Sequence, residues 1–465
     1  MVCRSMRKTL KEFSKRKKHL FGTSGIRGIV GTELSGELCW GVAQAIGTSL
    51  KLGSKVCIAT DTRLSRDMVK GAVISGLRLS GIDVTDLGIL PTPALAFLTG
   101  DMGFDTGVMI TASHNPPEFN GIKLFNSDSL GYSLQQEAKV ERIYHAKRFR
   151  TLNIGSLSQG DGAKERYFQR MLARFTPSDY CSKVVVDAGN GAASGFASEL
   201  FSVMGMEVIP LNDKPDGCFP GRNPEPKEDT LEGTIEYLRE KGADLAICFD
   251  GDADRVVFCD KEGFLGLDEM IAFISRLAVT ESGKRRVATT VETGKLIELV
   301  LEDLGAKVVR SRVGDVSVAY LAQKLDAAVG VEPAGVYIMP EIGYYPDSMY
   351  AASILLSRIN NTGEIREFLN SIPQLNRSNR KVACPNHLKP LVMEMMKKQA
   401  VLFQPNELNT LDGLRFEYDD SWMLIRASGT EPVIRVTAES RSKEEMESLL
   451  NEGQKAVADV LGELV

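Results

Sequence analysis

One unit recurs three times along the chain, and that repeat restricts the available folds more than any other feature. Residues 55–88 (KVCIATDTRLSRDMVKGAVISGLRLSGIDVTDLG), 183–212 (KVVVDAGNGAASGFASELFSVMGMEVIPLN) and 286–314 (RVATTVETGKLIELVLEDLGAKVVRSRVG) each open on a β-branched apolar run and turn at small or acidic residues. Each continues with apolar residues at helical spacing, reaches a glycine (Gly81, Gly205, Gly305) and restarts a strand. The change of period reads as strand then helix, and the glycine as the left-handed cap that returns the chain to the sheet. Such a crossover brings the second strand back parallel. Three of them predict α/β units with mixed, mostly parallel sheets covered by helices. From about residue 371 the pattern changes to a polar stretch, helical segments around 388–403, a strand pair (LRFEYDD, SWMLIRA) and a charged amphipathic helix over 442–461. This predicts a smaller α+β unit. The expected domains are 1–150, 151–257, 258–370 and 371–465, with the Ser/Gly/Gln-rich stretch 154–162 as the first linker.

Composition narrows the function. The 465 residues are 43% hydrophobic and 25% charged, an ordinary globular balance. The net charge of −5 is not offset by any basic domain, so nucleic acid is not the expected partner. No apolar run approaches the roughly 18 residues that span a bilayer, so no membrane segment is expected. Residues 1–18 are basic, but no apolar segment or cleavage site follows, so they read as a solvated tail rather than a secretory signal. The eight cysteines are scattered, form no CxxC pair and in several cases sit inside apolar strands. They read as reduced core residues of a cytoplasmic protein.

Ligands of parallel α/β sheets gather beyond the carboxyl ends of the strands. Four apolar strands end here in unusual polar segments, TGVMI→TASHNP, LAICF→DGDADR, AAVGV→EPAG and WMLI→RASGTEP, which points to one shared central cleft. In the second, Asp250, Asp252 and Asp254 alternate along an extended chain, so their carboxylates share a face. Like charges that close call for a hard cation, and Arg255 and Lys261 stand where a calcium loop needs its Gly and Glu; the expected ion is Mg²⁺. Ser113 in the first segment is either a turn-former or a hydroxyl that carries a transferable phosphoryl group. His114 reads as a structural imidazole or a base, and Lys123 as a stem-buried lysine or a proton shuttle of lowered pKa. Arg426, Ser428, Gly429, Thr430 and the nearby Arg435 have the composition of a phosphate clamp. Gly189-Asn190-Gly191-Ala192-Ala193-Ser194 approximates a dinucleotide fingerprint and raises a nicotinamide dehydrogenase as a rival, but with serine in place of the last glycine a plain strand–helix turn is the favoured reading. TVETGKL (290–296) lacks the upstream glycine and the Ser/Thr of a Walker loop.

Taken in order, GTSGIRG (22–28), TASHNP, NGIK, DGDADR, the EPAG turn and RASGTEP resemble the motif series of the α-D-phosphohexomutase superfamily, from about residue 20 to the C-terminus. That resemblance implies phosphoryl transfer between the 1- and 6-positions of a hexose phosphate through a phosphoserine, one Mg²⁺ per subunit and a hexose 1,6-bisphosphate that also acts as activator. It makes Ser113 the phosphorylated residue and a metal ligand beside Asp250, Asp252 and Asp254. His114 and Lys123 become acid/base candidates, and Arg27 and Arg255 contacts to substrate or phosphoserine. Arg426, Ser428, Gly429, Thr430 and Arg435 become the grip on the non-reacting phosphate. Glu332 would read the sugar, but Ala334 and Val336 stand where the family commonly has Ser and often His. LFGTSGIRG and SRVGDVSVA (311–319) look most like the phosphoglucosamine mutases, archaeal ones in particular. The expectation is a cytoplasmic monomer or homodimer that interconverts glucosamine 6- and 1-phosphates, with phosphomannomutase/phosphoglucomutase as the alternative and a non-catalytic sugar-phosphate binder as a further class.

Overall fold

The computed structural model describes residues 20–151, 153–176, 183–359, 361–429 and 431–464. The basic tail over 1–18, Cys3, Cys181 and Thr430 lie outside the described residues.

Four sheets follow one another along the chain. The first contains β1 (Ile26–Ile29), β2 (Lys55–Thr60), β3 (Asp83–Ile89), β4 (Thr106–Ile110), β5 (Phe119–Asn126) and β6 (Leu157–Gln159), in the order β1-β5-β4-β2-β3-β6. The second contains β7 (Lys183–Asp187), β8 (Glu207–Leu211), β9 (Leu245–Phe249), β10 (Val256–Asp260) and β11 (Gly263–Phe264), in the order β11-β10-β9-β7-β8. The third contains β12 (Arg286–Thr290), β13 (Lys307–Ser311), β14 (Val329–Glu332) and β15 (Val336–Ile338), in the order β13-β12-β14-β15. The fourth is wholly antiparallel: β16 (Asn376–Ala383), β17 (Glu407–Asn409), β18 (Leu414–Glu417), β19 (Ser421–Ala427) and β20 (Val433–Ser440), in the order β16-β20-β19-β18-β17.

The three repeats are the three parallel crossovers β2–β3, β7–β8 and β12–β13. The helices Arg66–Leu79, Phe196–Val203 and Leu296–Leu301 lie between their strands. Gly81, Gly205 and Gly305 take φ of 75°, 94° and 62°, the left-handed geometry that a Cβ resists. The likeness goes further than the repeats. In each unit the first strand lies between the second and a parallel third (β4, β9, β14), and the third pairs antiparallel with a fourth (β5, β10, β15). TASHNP, DGDADR and EPAG are therefore the same turn in three copies of one topology, and RASGTEP is the β19–β20 turn.

One apolar core runs through all of the first three units, from Cys57 through Val184 and Val287 to Ile372, the first unit packs a second around Val42, Ile58 and Val73, and the fourth unit packs its own around Phe416, Ile425 and Leu450. Burying side chains of this kind contributes roughly 1.5–3 kcal/mol each, enough to fix the strand-end turns to a common base. Cys39, Cys57, Cys248, Cys259 and Cys384 are buried and unbridged, and Cys218 is exposed. Among the described residues no helix is long and apolar enough to cross a membrane.

Two local readings change. The stretch expected as a linker contains β6, three exposed residues that join the first sheet through backbone pairing to β3 alone. The break expected at 257 falls inside the buried apolar strand β10, and the second sheet continues through the Asp260–Gly263 turn to Phe264.

Candidate active site

The segments 113–116 and 250–255 meet face to face. Ser113 has φ 52°, and its fully buried hydroxyl donates to Asp250 Oδ2 at 2.6 Å and lies 3.4 Å from Asp254 Oδ1. Asp250, Asp252 and Asp254 are buried, with one carboxylate oxygen from each inside a 4.8 Å span. Lys123, buried on β5, donates to Asp252 Oδ2 at 2.8 Å and Asp254 Oδ2 at 2.5 Å. Thr92, at the start of the helix Thr92–Asp101, donates to Asp252 Oδ2 at 2.6 Å. The loops can approach because Gly251 has no side chain: a Cβ there would stand 2.5 Å from the Ser113 carbonyl oxygen.

Electrostatics separate Asp250 from Asp252. Burial, then the charges of Asp254 and Asp252, pushes Asp250 well above the usual carboxylate range. Burial alone would raise Asp252 as well, but the Lys123 ammonium outweighs it and holds this acid below its ordinary value. Burial opposes the charge on Lys123, yet its two aspartates keep it protonated, so it is a buried counter-cation here rather than a lysine of lowered pKa. His114, with Nδ1 3.3 Å from the Ser113 hydroxyl, is pushed down to about 2 by burial and by Arg255, Arg27 and Lys123, and is neutral near pH 7.

Three polar atoms stay unmatched. Asp252 Oδ1, Arg27 Nε and Arg255 Nε are buried with no hydrogen-bond partner among the described residues, where buried polar atoms are ordinarily satisfied. An orphan carboxylate oxygen on one of three converging acids fits a hard divalent cation, and the oxygen-only donor set suits magnesium. The unmatched guanidinium nitrogens fit an arriving oxyanion. Arg27 Nη1 is also held by Asn115 Oδ1 at 2.9 Å.

The EPAG turn joins the same site. Gly335, at φ 73°, accepts the Val256 N–H at 2.9 Å, immediately after Arg255. Buried Glu332 accepts the Gly314 N–H at 2.8 Å, and burial and the Asp315 charge push it up to about 8. The fourth segment stands apart. Arg426 donates to Glu292 Oε1 at 3.0 and 2.7 Å, and Arg435 to Glu431. Ser428 is buried, with its hydroxyl accepting the Glu431 N–H at 3.1 Å, and Gly429 is exposed with open space where a Cβ would be. Among the described residues no hydrogen bond or ion pair joins this turn to 113 or 250–254.

The fingerprint-like GNGAAS turn packs on the 250–255 segment instead. Ala192 N donates to the Gly251 carbonyl at 2.9 Å, and a Cβ on Gly191 would stand 2.5 Å from that oxygen. Sequence reasoning missed Thr92, Arg63, Arg222 and Ser348, whose hydroxyl donates to the Ala253 carbonyl at 2.6 Å. YYPDS (344–348) contains the last of these, but no local pattern ties a serine there to a carbonyl 95 residues earlier.

Comparison with known proteins agrees with this geometry. Models of the phosphoglucomutase/phosphomannomutase α/β/α domains I, II and III match residues 18–151, 165–263 and 267–375, and that of the C-terminal domain matches 380–454. A probable phosphoglucosamine mutase of Methanopyrus kandleri is 40% identical over 93% of this chain and 96% of its own. One from Pyrococcus abyssi is 40% identical over 95% and 98%. The solved structure of a phosphoglucomutase/phosphomannomutase family protein from Burkholderia thailandensis superposes with a TM-score of 0.84 at 26% identity, covering 96% of this chain and 98% of that one. With its motifs in the family's order and its four units each matched, this chain belongs to the phosphoglucomutase/phosphomannomutase family of phosphohexomutases.

Proposed function

We propose that the protein is a phosphoglucosamine mutase that interconverts glucosamine 6-phosphate and glucosamine 1-phosphate. The observation that carries the reaction is the Ser113 hydroxyl at 2.6 Å from Asp250 within the three-aspartate cluster. The 40% identity to archaeal relatives named probable phosphoglucosamine mutases favours the amino sugar.

In this reading Ser113 carries a phosphoryl group. Bound at Asp250, Asp252 and Asp254, Mg²⁺ would neutralise charge on that group. The free hydroxyl of the bound sugar attacks phosphorus as the bond to Ser113 Oγ breaks. Neutral His114 is the candidate acceptor of the hydroxyl proton, and the serine oxygen takes a proton back. The bisphosphorylated sugar turns over, and Ser113 Oγ then attacks the other phosphoryl group, which restores the phosphoserine and frees the isomeric monophosphate. Arg27 and Arg255 orient the transferring group, with protonated Lys123 a candidate acid only. Glu332 reads sugar hydroxyls, and Arg426, Ser428, Gly429, Thr430 and Arg435 hold the phosphate at rest, which requires phosphate to draw Arg426 from Glu292 and Arg435 from Glu431. The same reading takes one Mg²⁺ per chain, a hexose 1,6-bisphosphate activator, a cytoplasmic setting and a monomer or homodimer. Four domains follow the four sheets, with the first two boundaries moved beyond Gln159 and Phe264.

Turnover of glucosamine, glucose and mannose phosphates measured side by side tests the substrate. Activity on the neutral sugars with none on glucosamine phosphates overturns the amino-sugar assignment and leaves phosphomannomutase/phosphoglucomutase, which the Ala334 and Val336 replacements in the sugar-reading turn also allow. Intact-mass analysis after incubation with a hexose bisphosphate should show one added phosphoryl group in the wild type and none in Ser113→Ala.

A further inference from the structure

Arg63 lies behind the serine loop, touches no candidate ligand position, and uses every donor it has. Its side chain is fully buried. Nε donates to Asp61 Oδ2 at 3.0 Å. Nη1 donates to the carbonyls of Pro116 and Phe119 at 2.5 and 2.9 Å, and Nη2 to those of Ser113 and Asn115 at 2.8 and 2.5 Å. A guanidinium has five N–H groups in a rigid fork, and here all five are matched. Four of them draw the carbonyls of one short loop onto a single buried group, and the Pro116 carbonyl takes the Phe119 N–H at 3.1 Å as well.

The bonds close a ring around Ser113. Its carbonyl accepts from Arg63, and its N–H donates to Thr111 Oγ1 at 2.8 Å. Thr111 Oγ1 donates to Asp61 Oδ2 at 2.7 Å, the same oxygen that takes Arg63 Nε. Both peptide groups of a residue at φ 52° are thus tied to one carboxylate. That conformation costs an L-residue about 1–3 kcal/mol and persists only where its surroundings enforce it. The ring also reaches Arg27, because Asn115 gives its carbonyl to Arg63 and its side-chain oxygen to Arg27 Nη1. An equivalent pair lies in the second unit. Asp187 ends β7 as Asp61 follows β2, and it accepts Arg222 Nε at 2.8 Å, while Arg222 Nη2 donates at 2.6 Å to the carbonyl of Phe249, the residue before Asp250.

We infer that Arg63 is a positioning residue for phosphoryl transfer: through the Asp61–Thr111 ring it holds the Ser113 hydroxyl in line with the metal cluster and aims Arg27. The inference rests on Ser113 being the phosphorylated residue. Arg63→Lys keeps the charge but loses the fork, so it should fold and bind sugar phosphate with KM within about threefold, while kcat falls roughly 100-fold, as for a reacting atom displaced by about an ångström. Phosphorylation of Ser113 by a hexose bisphosphate, followed by intact mass, should slow in parallel. Thr111→Val, which opens the ring on its other side, should lower kcat at least about tenfold with KM held, and Thr111→Ser should restore it. The substrate is whichever hexose phosphate the wild type turns over fastest. If Arg63→Lys and Thr111→Val retain kcat within about threefold, or raise KM with kcat unchanged, the positioning role is overturned. If Arg63→Lys does not fold, the Thr111 pair decides alone. Ser113→Ala run alongside separates the two failures: an active Ser113→Ala defeats the phosphoserine reading itself, whereas an inactive one beside unaffected Arg63 and Thr111 variants defeats only the ring.

Discussion

Asp250, Asp252 and Asp254 coexist in a buried space because each has a hydrogen-bond donor, with Lys123 shared by two of them. Asp250 takes the Ser113 hydroxyl, Asp252 takes Lys123 and Thr92, and Asp254 takes Lys123. Removing one partner from a buried charge cluster costs about 3–5 kcal/mol, mostly as the penalty of the charge left behind. Lys123→Met should therefore lower the melting temperature of metal-free protein sharply, and added Mg²⁺ should recover part of the loss, because a cation that binds only the folded state replaces the missing charge. Recovery that fails to depend on Mg²⁺ concentration would place the cation elsewhere. Asp252→Asn removes a ligand charge and should weaken Mg²⁺ binding by roughly tenfold or more in calorimetric titration. The aspartates were legible from their spacing, but they converge in a turn, with Ala253 at φ 57°, rather than along the extended segment that spacing predicts, and the serine was legible only through the family resemblance. The state of Lys123 was not, because ammonium pKa depends on neighbours 129 and 131 residues away.

Among the elements, the turns between the third and fourth strands of each unit do the work, and their glycines set how closely they meet. Gly251→Ala would place a Cβ 2.5 Å from the Ser113 carbonyl oxygen, a backbone atom that cannot swing away. The expected result is a loss of about 1–3 kcal/mol and a lower kcat, read by thermal melting and steady-state kinetics. Unaltered melting would mean that the two loops are further apart than described. The three crossovers were readable because strand and helix periods differ and a glycine marks each return. β6 and β16 were not. Leu157–Gln159 is wholly exposed, and Asn376–Ala383 is polar and never fully buried, so both join their sheets by backbone hydrogen bonds that carry no side-chain pattern.

For the molecule as a whole, a few buried polar bonds tie unit to unit. Asp347 caps the helix Ser348–Arg358, accepts the Tyr167 hydroxyl at 2.8 Å, and is followed by Ser348, whose hydroxyl donates to the Ala253 carbonyl in the three-aspartate loop. Burial pushes its carboxyl up to about 6. The folded state therefore keeps a proton that the unfolded chain releases near pH 4. Stability should fall as pH rises from there through about 6, by on the order of 3 kcal/mol in all. Asp347→Asn keeps an acceptor for Tyr167 and should flatten that dependence when melting temperatures at about pH 4.5 and about pH 7.5 are compared; an unchanged slope would assign the pH effect to another group. Between the third and fourth units the half-buried Arg426–Glu292 pair contributes at most about 1 kcal/mol, little enough for phosphate to compete for it. Arg426→Ala should raise KM for the sugar phosphate with little loss of folding stability, and an unchanged KM would remove Arg426 from the clamp.

The order of strands and helices, the four chemically marked turns and the family they resemble could all be read from the chain, because period, turn chemistry and motif spacing are local and survive without coordinates. The partners of those turns could not. Arg63 on the Ser113 carbonyl, Ser348 on Ala253 and Glu292 on Arg426 join residues 50, 95 and 134 positions apart. Which donor meets which carbonyl depends on how whole sheets pack, and packing is a property of the assembled core rather than of any single stretch of sequence.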